Sequence, residues 1–435
     1  MRKFLTILLL ALVVLVFCSA KNVIYLIGDG MGINHLILTQ YLEGKPLTIL
    51  KAPYTGFVLT YSANSNVTDS AAAGTALACG FKTNNGSIGI LPDGTAVPSI
   101  AEIAAMNGIK TGIVVTCRVT HATPASFYGH VLSRDDENTL AEQLVESPLD
   151  VVFGGGWRHF IPEGGKRKDN KDLIAAAKDN GFDYITTREE MLSYSGDRVL
   201  GLFASSHLSP ASERSGSQPM LDEMVAKALE ILSKDGKPFF LMVEGSQIDW
   251  EAHGNDVYGV WKETMEFDRA VKVALDFLAE DPNTLIVVTS DHETGGLALS
   301  TGGYTFDIEK LRGYTKNTDW LASQSGGDYE KLRELVKTHC GVELTDEDIA
   351  YIKEESTKSS YGFANGIGRV LSTKAQIGWS TFDHTGGPVP VFAFGSGAEH
   401  FTGVFANTEL PRLIAHLAGY PMSYPVYTVP LLGAH

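Results

Sequence analysis

The chain has 435 residues, 44% of them hydrophobic and 20% charged, so there is enough apolar material for a large core and wholesale disorder is excluded. Its 35 Lys and Arg stand against 51 Asp and Glu, a net charge of −16. That balance argues against a nucleic-acid backbone as partner and requires any anion site to be built locally, from metals, Arg or helix N-termini.

The first twenty residues read as an export signal. Arg2-Lys3 precede an apolar run from Phe4 to Phe17, and Cys18-Ser19-Ala20 supplies small residues at a cleavage site before Lys21. The run is too short for a comfortable membrane span, although retention as an N-terminal anchor is the alternative. Periplasmic or extracellular delivery is therefore expected, with no stable span in the mature chain. Three widely spaced cysteines then remain, Cys79, Cys117 and Cys340, too few for a disulfide framework and better read as buried thiols.

The mature chain opens with the apolar run Asn22–Ile27, which enters Gly28-Asp29-Gly30-Met31-Gly32, and a helical stretch follows over Ile33–Glu43. Further apolar runs lie at Thr111–Thr116, Asp150–Phe153, Arg198–Ala204, Pro238–Val243, Thr284–Thr289 and Val389–Phe394, with amphipathic segments such as Met220–Leu232 and Tyr258–Leu278 between them. This alternation predicts an α/β three-layer sandwich: a largely parallel sheet, helices on both faces, and functional residues at the carboxyl ends of strands. Residues 300–374 are polar and lack a long buried strand, which predicts an inserted cap within one catalytic domain spanning 21–435.

Polar residues stand where strands should end. Asp29 follows the first strand. Ser70 lies in Thr68-Asp69-Ser70-Ala71-Ala72-Ala73-Gly74, a loop opening a small-residue helix, where the positive end of the dipole favours an alkoxide and a bound anion; either Asp69 or Ser70 also suits a helix cap. Glu244 ends another strand, and Asp249 and His253, four apart, face one side of a helix and could share a metal. Asp291-His292 closes a strand, and His384 sits in a Gly-rich turn before another. Sorted by softness, these ligands give two N/O sites suited to zinc-type ions and one all-oxygen site suited to Mg²⁺. A serine at a helix N-terminus beside paired divalent ions is the arrangement for phosphoryl transfer.

Taken together, Asp29-Gly30-Met31-Gly32, Asp69 to Ala76, His121-Ala-Thr-Pro-Ala125, Glu244…Asp249…His253, Asp291-His292 and His384-Thr-Gly386 closely resemble the alkaline phosphatases, in that family's order along the mature chain. The resemblance implies hydrolysis of a broad range of phosphate monoesters through a phosphoserine at Ser70, with Arg134 as the phosphate-binding guanidinium. It implies one Zn²⁺ site from Asp249, His253 and His384, a second from Asp291, His292 and Asp29, and a Mg²⁺ site from Asp29, Thr123 and Glu244. Co²⁺ or Mn²⁺ are expected substitutes, and a homodimer is implied. His121 and Trp250 stand at substrate-binding positions that vary in the family, where other members carry Asp and Lys or His. Within the superfamily a phosphodiesterase or sulfatase is the nearest rival, but the Cys-x-Pro-x-Arg pattern of sulfatases is absent from the sequence.

Overall fold

The computed structural model describes residues 20–422. The expected export signal, except Ala20, falls outside them. Ala20 itself is buried, and its N–H donates to the carbonyl of Leu417 at 2.9 Å.

Ten strands form the central sheet: β1 (Asn22–Gly28), β2 (Tyr54–Leu59), β3 (Lys110–Arg118), β4 (Val151–Gly155), β5 (Asp183–Ile185), β6 (Val199–Leu202), β7 (Phe239–Gly245), β8 (Thr284–Thr289), β9 (Val389–Gly395) and β10 (Gly403–Ala406). Their order across the sheet is β10-β2-β9-β8-β1-β7-β3-β4-β6-β5. Every neighbouring pair is parallel except those made by β9, which runs antiparallel to both β2 and β8. The fold is thus the α/β sandwich expected from the sequence.

The central strands are buried on both faces, which is why they read as continuous apolar runs. In β1, Val23, Tyr25 and Ile27 enter one core and Ile24 and Leu26 the other. Helices Ser70–Cys79, Ile100–Met106, Glu137–Glu146 and Glu409–Ala418 cover the first face; Leu221–Ser233 and Val257–Glu280 cover the second. Between Ile308 and Lys374 the chain forms five helices around a third apolar cluster, which includes Leu321, Leu332 and Ile352 and extends to Leu38, Val257 and Trp261.

Strand register decides where the polar ends meet. Ile27 of β1 is level with Glu244 of β7 on one side and Thr289 of β8 on the other. Asp29, Glu244 and the Ser290–His292 turn therefore emerge side by side at the carboxyl edge of the sheet's middle.

Candidate metal centre and nucleophile

The helix Ser70–Cys79 begins where the sequence suggests, and the capping role falls to Asp69. Its Oδ1 accepts from Ala72 N–H at 2.9 Å, and its Oδ2 accepts from Gly86 N–H and from Arg134 Nη1, each at 3.0 Å. Ser70 is left as the first helical residue, 2% exposed, with its Oγ 3.2 Å from His292 Nε2. Gly74 lets this helix lie close to the next segment: a Cβ there would sit 2.8 Å from Ser126 Oγ and 3.2 Å from Thr123 Cα.

Asp249 and His253 lie on the short helix Ile248–His253, and His384 lies on a two-residue strand paired with Glu293–Thr294. His253 Nε2 is 3.4 Å, and His384 Nε2 3.6 Å, from Asp249 Oδ1, and the two Nε2 atoms are 3.1 Å apart. The Nδ1 of His384 is 2.8 Å from the Thr68 carbonyl, and that of His253 contacts the Phe382 carbonyl. Carbonyls only accept, so each ring carries its proton on Nδ1 and both Nε2 lone pairs face Asp249. Three electron-rich atoms converging in this way call for a cation.

A second convergence joins Asp29, Asp249 and His292, so Asp249 serves both groups rather than one. Asp291 Oδ1 accepts from Gly30 N–H at 3.1 Å and His292 N–H at 2.9 Å, while its Oδ2 stands 3.1 Å from His292 Nε2. Asp29 Oδ1 is 3.5 Å from the same nitrogen. The close approach of Asp29 and Asp249 depends on Gly30, whose φ is +71° and where a Cβ would fall 2.7 Å from Asp249 Cα.

The oxygen-rich group is the most telling. Both carboxylate oxygens of Asp29, Thr123 Oγ1, Glu244 Oε1 and Asp291 Oδ2 are buried without a hydrogen-bond partner. Glu244 Oε2, by contrast, accepts from Ser246 Oγ at 2.6 Å and Cys117 Sγ at 3.2 Å. Burial, then Asp291, Asp249 and Glu244, push Asp29 well above the usual carboxylate range, and burial raises Glu244 to about 7. Burial would also raise Asp249, but His253, His384 and His292 outweigh it and bring that carboxyl down to about 2. Buried acids with open oxygens fit hard divalent cations, and the His-containing groups fit softer zinc-type ions.

Arg134 is a quarter exposed and held by Asp69, with Nη2 3.3 Å from His121 Nε2. His121 lies edge-on to Trp250 at 5.7 Å between ring centroids, and burial beside Arg134 holds it well below the ordinary histidine range. All twelve residues singled out in the sequence flank this one region. Four others were missed: Cys117, Ser246, Thr294, and His207, whose ring is 4.0 Å from that of Trp250. Their roles rest on contacts across the fold, and no local motif marks them. The cysteines agree with the sequence reading, since Cys79, Cys117 and Cys340 are buried free thiols.

The sequence model of the family described as Alkaline phosphatase matches residues 20–420. Alkaline phosphatase 3 of Bacillus subtilis is 37% identical over 90% of this chain and 87% of its own. The crystal structure of Thermus thermophilus alkaline phosphatase superposes with a TM-score of 0.86 at 30% identity, covering 94% of this chain and 93% of that one. A His-to-Glu variant of the alkaline phosphatase of the Antarctic bacterium TAB5, solved with Mg bound in its M3 site, aligns at 34% identity and TM-score 0.72, covering 92% of this chain and 99% of that one. With a buried serine set among open carboxylates and imidazoles, and with a family model matching residues 20–420, the chain belongs to the alkaline phosphatase family.

Proposed function

We propose that the protein hydrolyses phosphate monoesters through a phosphoserine at Ser70. The observation that carries the reading is the placement of Ser70 Oγ, buried at a helix N-terminus and 3.2 Å from His292 Nε2, beside a ring of unpartnered oxygens. Zinc-type ions held by Asp249, His253, His384 and by Asp29, Asp291, His292, with Asp249 reaching the second group as well, and Mg²⁺ held by Asp29, Thr123 and Glu244, would supply the positive charge that ionises the serine and stabilises the leaving oxygen. The helix dipole adds to the field at Ser70, and Arg134, fixed by Asp69, offers its fork to two non-bridging phosphate oxygens. Ser70 Oγ forms the new bond to phosphorus as the ester oxygen departs with a proton. Water then cleaves the phosphoserine, giving inorganic phosphate and restoring the hydroxyl. The binding of Mg in the M3 site of the TAB5 variant supports a hard cation in a relative's centre.

The same reading assigns residues 1–20 to an export signal, and so a periplasmic or extracellular setting. Among the described residues, no helix is long and apolar enough to cross a membrane. It takes 300–374 as a cap inserted in the catalytic domain, supported by the separate apolar cluster there, and expects a homodimer. Phosphate release from an aryl phosphate, assayed after chelation and after resupply of Zn²⁺, Co²⁺, Mn²⁺ and Mg²⁺, tests the function. Loss on chelation and recovery with ions is expected; no release under any ion overturns it.

A further inference from the structure

Thr294, itself outside the candidate ligand set, touches every segment that brings N/O groups to the centre. Its N–H donates to the Gly30 carbonyl at 3.1 Å, next to Asp29. Its backbone pairs with His384 in the two-residue ribbon. Its hydroxyl contacts Asp249 Oδ1 and lies 3.2 Å from His292 Nδ1. It is fully buried.

The proton inventory fixes the direction of these contacts. A carboxylate only accepts, so the single hydroxyl hydrogen of Thr294 goes to Asp249. The oxygen then accepts from His292 Nδ1–H, which leaves His292 Nε2 bare toward Ser70, Asp291 and Asp29. One hydroxyl thus sets the tautomer of a ligand in the second group and orients the carboxylate shared by both groups.

We infer that Thr294 is a positioning residue that couples the two zinc-type sites, so that they load as a pair. The inference rests on the proposed metal centre, but its test does not depend on phosphatase activity. Replacing the hydroxyl by a methyl, Thr294→Val, keeps the shape and removes both hydrogen bonds. His292 is then free to take its other tautomer and Asp249 is free to turn.

Metal-free wild type, Thr294→Val, Thr294→Ala and Thr294→Ser are titrated with Co²⁺ and followed by the visible d–d spectrum and by calorimetry, with melting curves of the metal-free forms. Wild type is expected to take up two Co²⁺ in one cooperative phase with tetrahedral-type absorption. The Val and Ala variants are expected to lose about ten- to a hundredfold in affinity at both sites, the scale set by removing an outer hydrogen-bond partner of a metal ligand. Thr294→Ser should restore wild-type loading. Wild-type-like titration of Val or Ala overturns the inference, as does loss of affinity at one site alone or failure of Ser to rescue. Should Val not fold, the Ala and Ser pair decides. A wild type that loads two ions cooperatively yet releases no phosphate from esters defeats the functional reading and leaves the role of Thr294 standing.

Discussion

Two groups of buried acids lie either side of the helix Ile248–His253, and they are built on opposite plans. On one side, around Asp249, the acids Asp29, Asp291 and Glu244 keep oxygens with no donor. On the other, Asp256 caps the helix Val257–Glu280 through Tyr258 and Gly259 N–H and also takes Thr318 N–H. Glu263 accepts from Ala211 N–H at 2.6 Å, Glu266 takes Leu221 N–H and pairs with Arg214, and Glu251 accepts from Asn317. Both groups are shifted by burial: Asp256 rises to about 6 and Glu263 to about 8. Burial of an acid therefore does not mark a site. The difference lies in how many oxygens go without a donor: among the second set only Glu266 Oε2 is buried and unpartnered, whereas both oxygens of Asp29, Glu244 Oε1 and Asp291 Oδ2 are left open to a cation.

The largest effects break the first group. Asp249→Asn removes the carboxylate shared by both clusters, so metal content should fall at both sites and activity drop about a thousandfold or more. Asp256→Asn should instead retain its metals and show a lower melting temperature, a loss of about 1–3 kcal/mol because the cap oxygen can stay but an amide N–H replaces the acceptor of Thr318 N–H. Metal analysis and thermal melts of both variants check this; equal metal loss in the two would erase the distinction drawn here. Ser70→Ala should bind its metals and give no phosphoenzyme, again with activity down about a thousandfold. Labelled phosphate trapped at another residue of that variant would contradict the assignment.

Next in size is Arg134→Ala, which removes charged hydrogen bonds worth about 1.5–3 kcal/mol each. Inhibition by inorganic phosphate should weaken roughly tenfold or more with metal content kept. Smaller shifts are expected from His121→Asp, which puts a carboxylate two residues before Thr123 and should tighten Mg²⁺, and from Trp250→Lys, which supplies a cation and should tighten phosphate. Calorimetry of each ligand with each variant measures both.

The smallest effect lies outside the centre. His130 Nε2 is 3.1 Å from Glu102 Oε1, and that contact raises the His130 pKa. Its contribution is fully present below the unfolded value near 6.5 and is lost as pH rises through the higher folded value. His130→Gln should lower stability by on the order of 0.5 kcal/mol at pH 5.5, and by less at pH 8.5, since the pair is partly exposed. A loss independent of pH would show that the ion pair contributes nothing.

Much of this was legible in the chain itself. β1, β3, β7, β8 and β9 are buried on both faces, so each spells an unbroken apolar run. β2, β5 and β10 were not foreseen. They lie at or next to the sheet edges, and their residues alternate with exposed ones or number only three or four. The candidate ligands were readable because Asp, Glu and His at strand ends are conspicuous. That Asp249 serves two groups was not, because Gly30 brings Asp29 against it only in three dimensions. Thr294 stood in full view beside Asp291-His292, but a threonine acquires meaning only from what its hydroxyl reaches.

The bond between His384 and the Thr68 carbonyl joins residues 316 apart in sequence. Its closure requires nearly the whole polypeptide, since the strands between must already have found their places before these ends can meet. A chain emerging from synthesis therefore cannot close the group of Asp249, His253 and His384 until the segment carrying His384 arrives. Ions that bind only the finished arrangement draw the folding equilibrium toward it by mass action. Uptake of an ion at that group would accordingly report that folding is complete as well as arm the proposed chemistry.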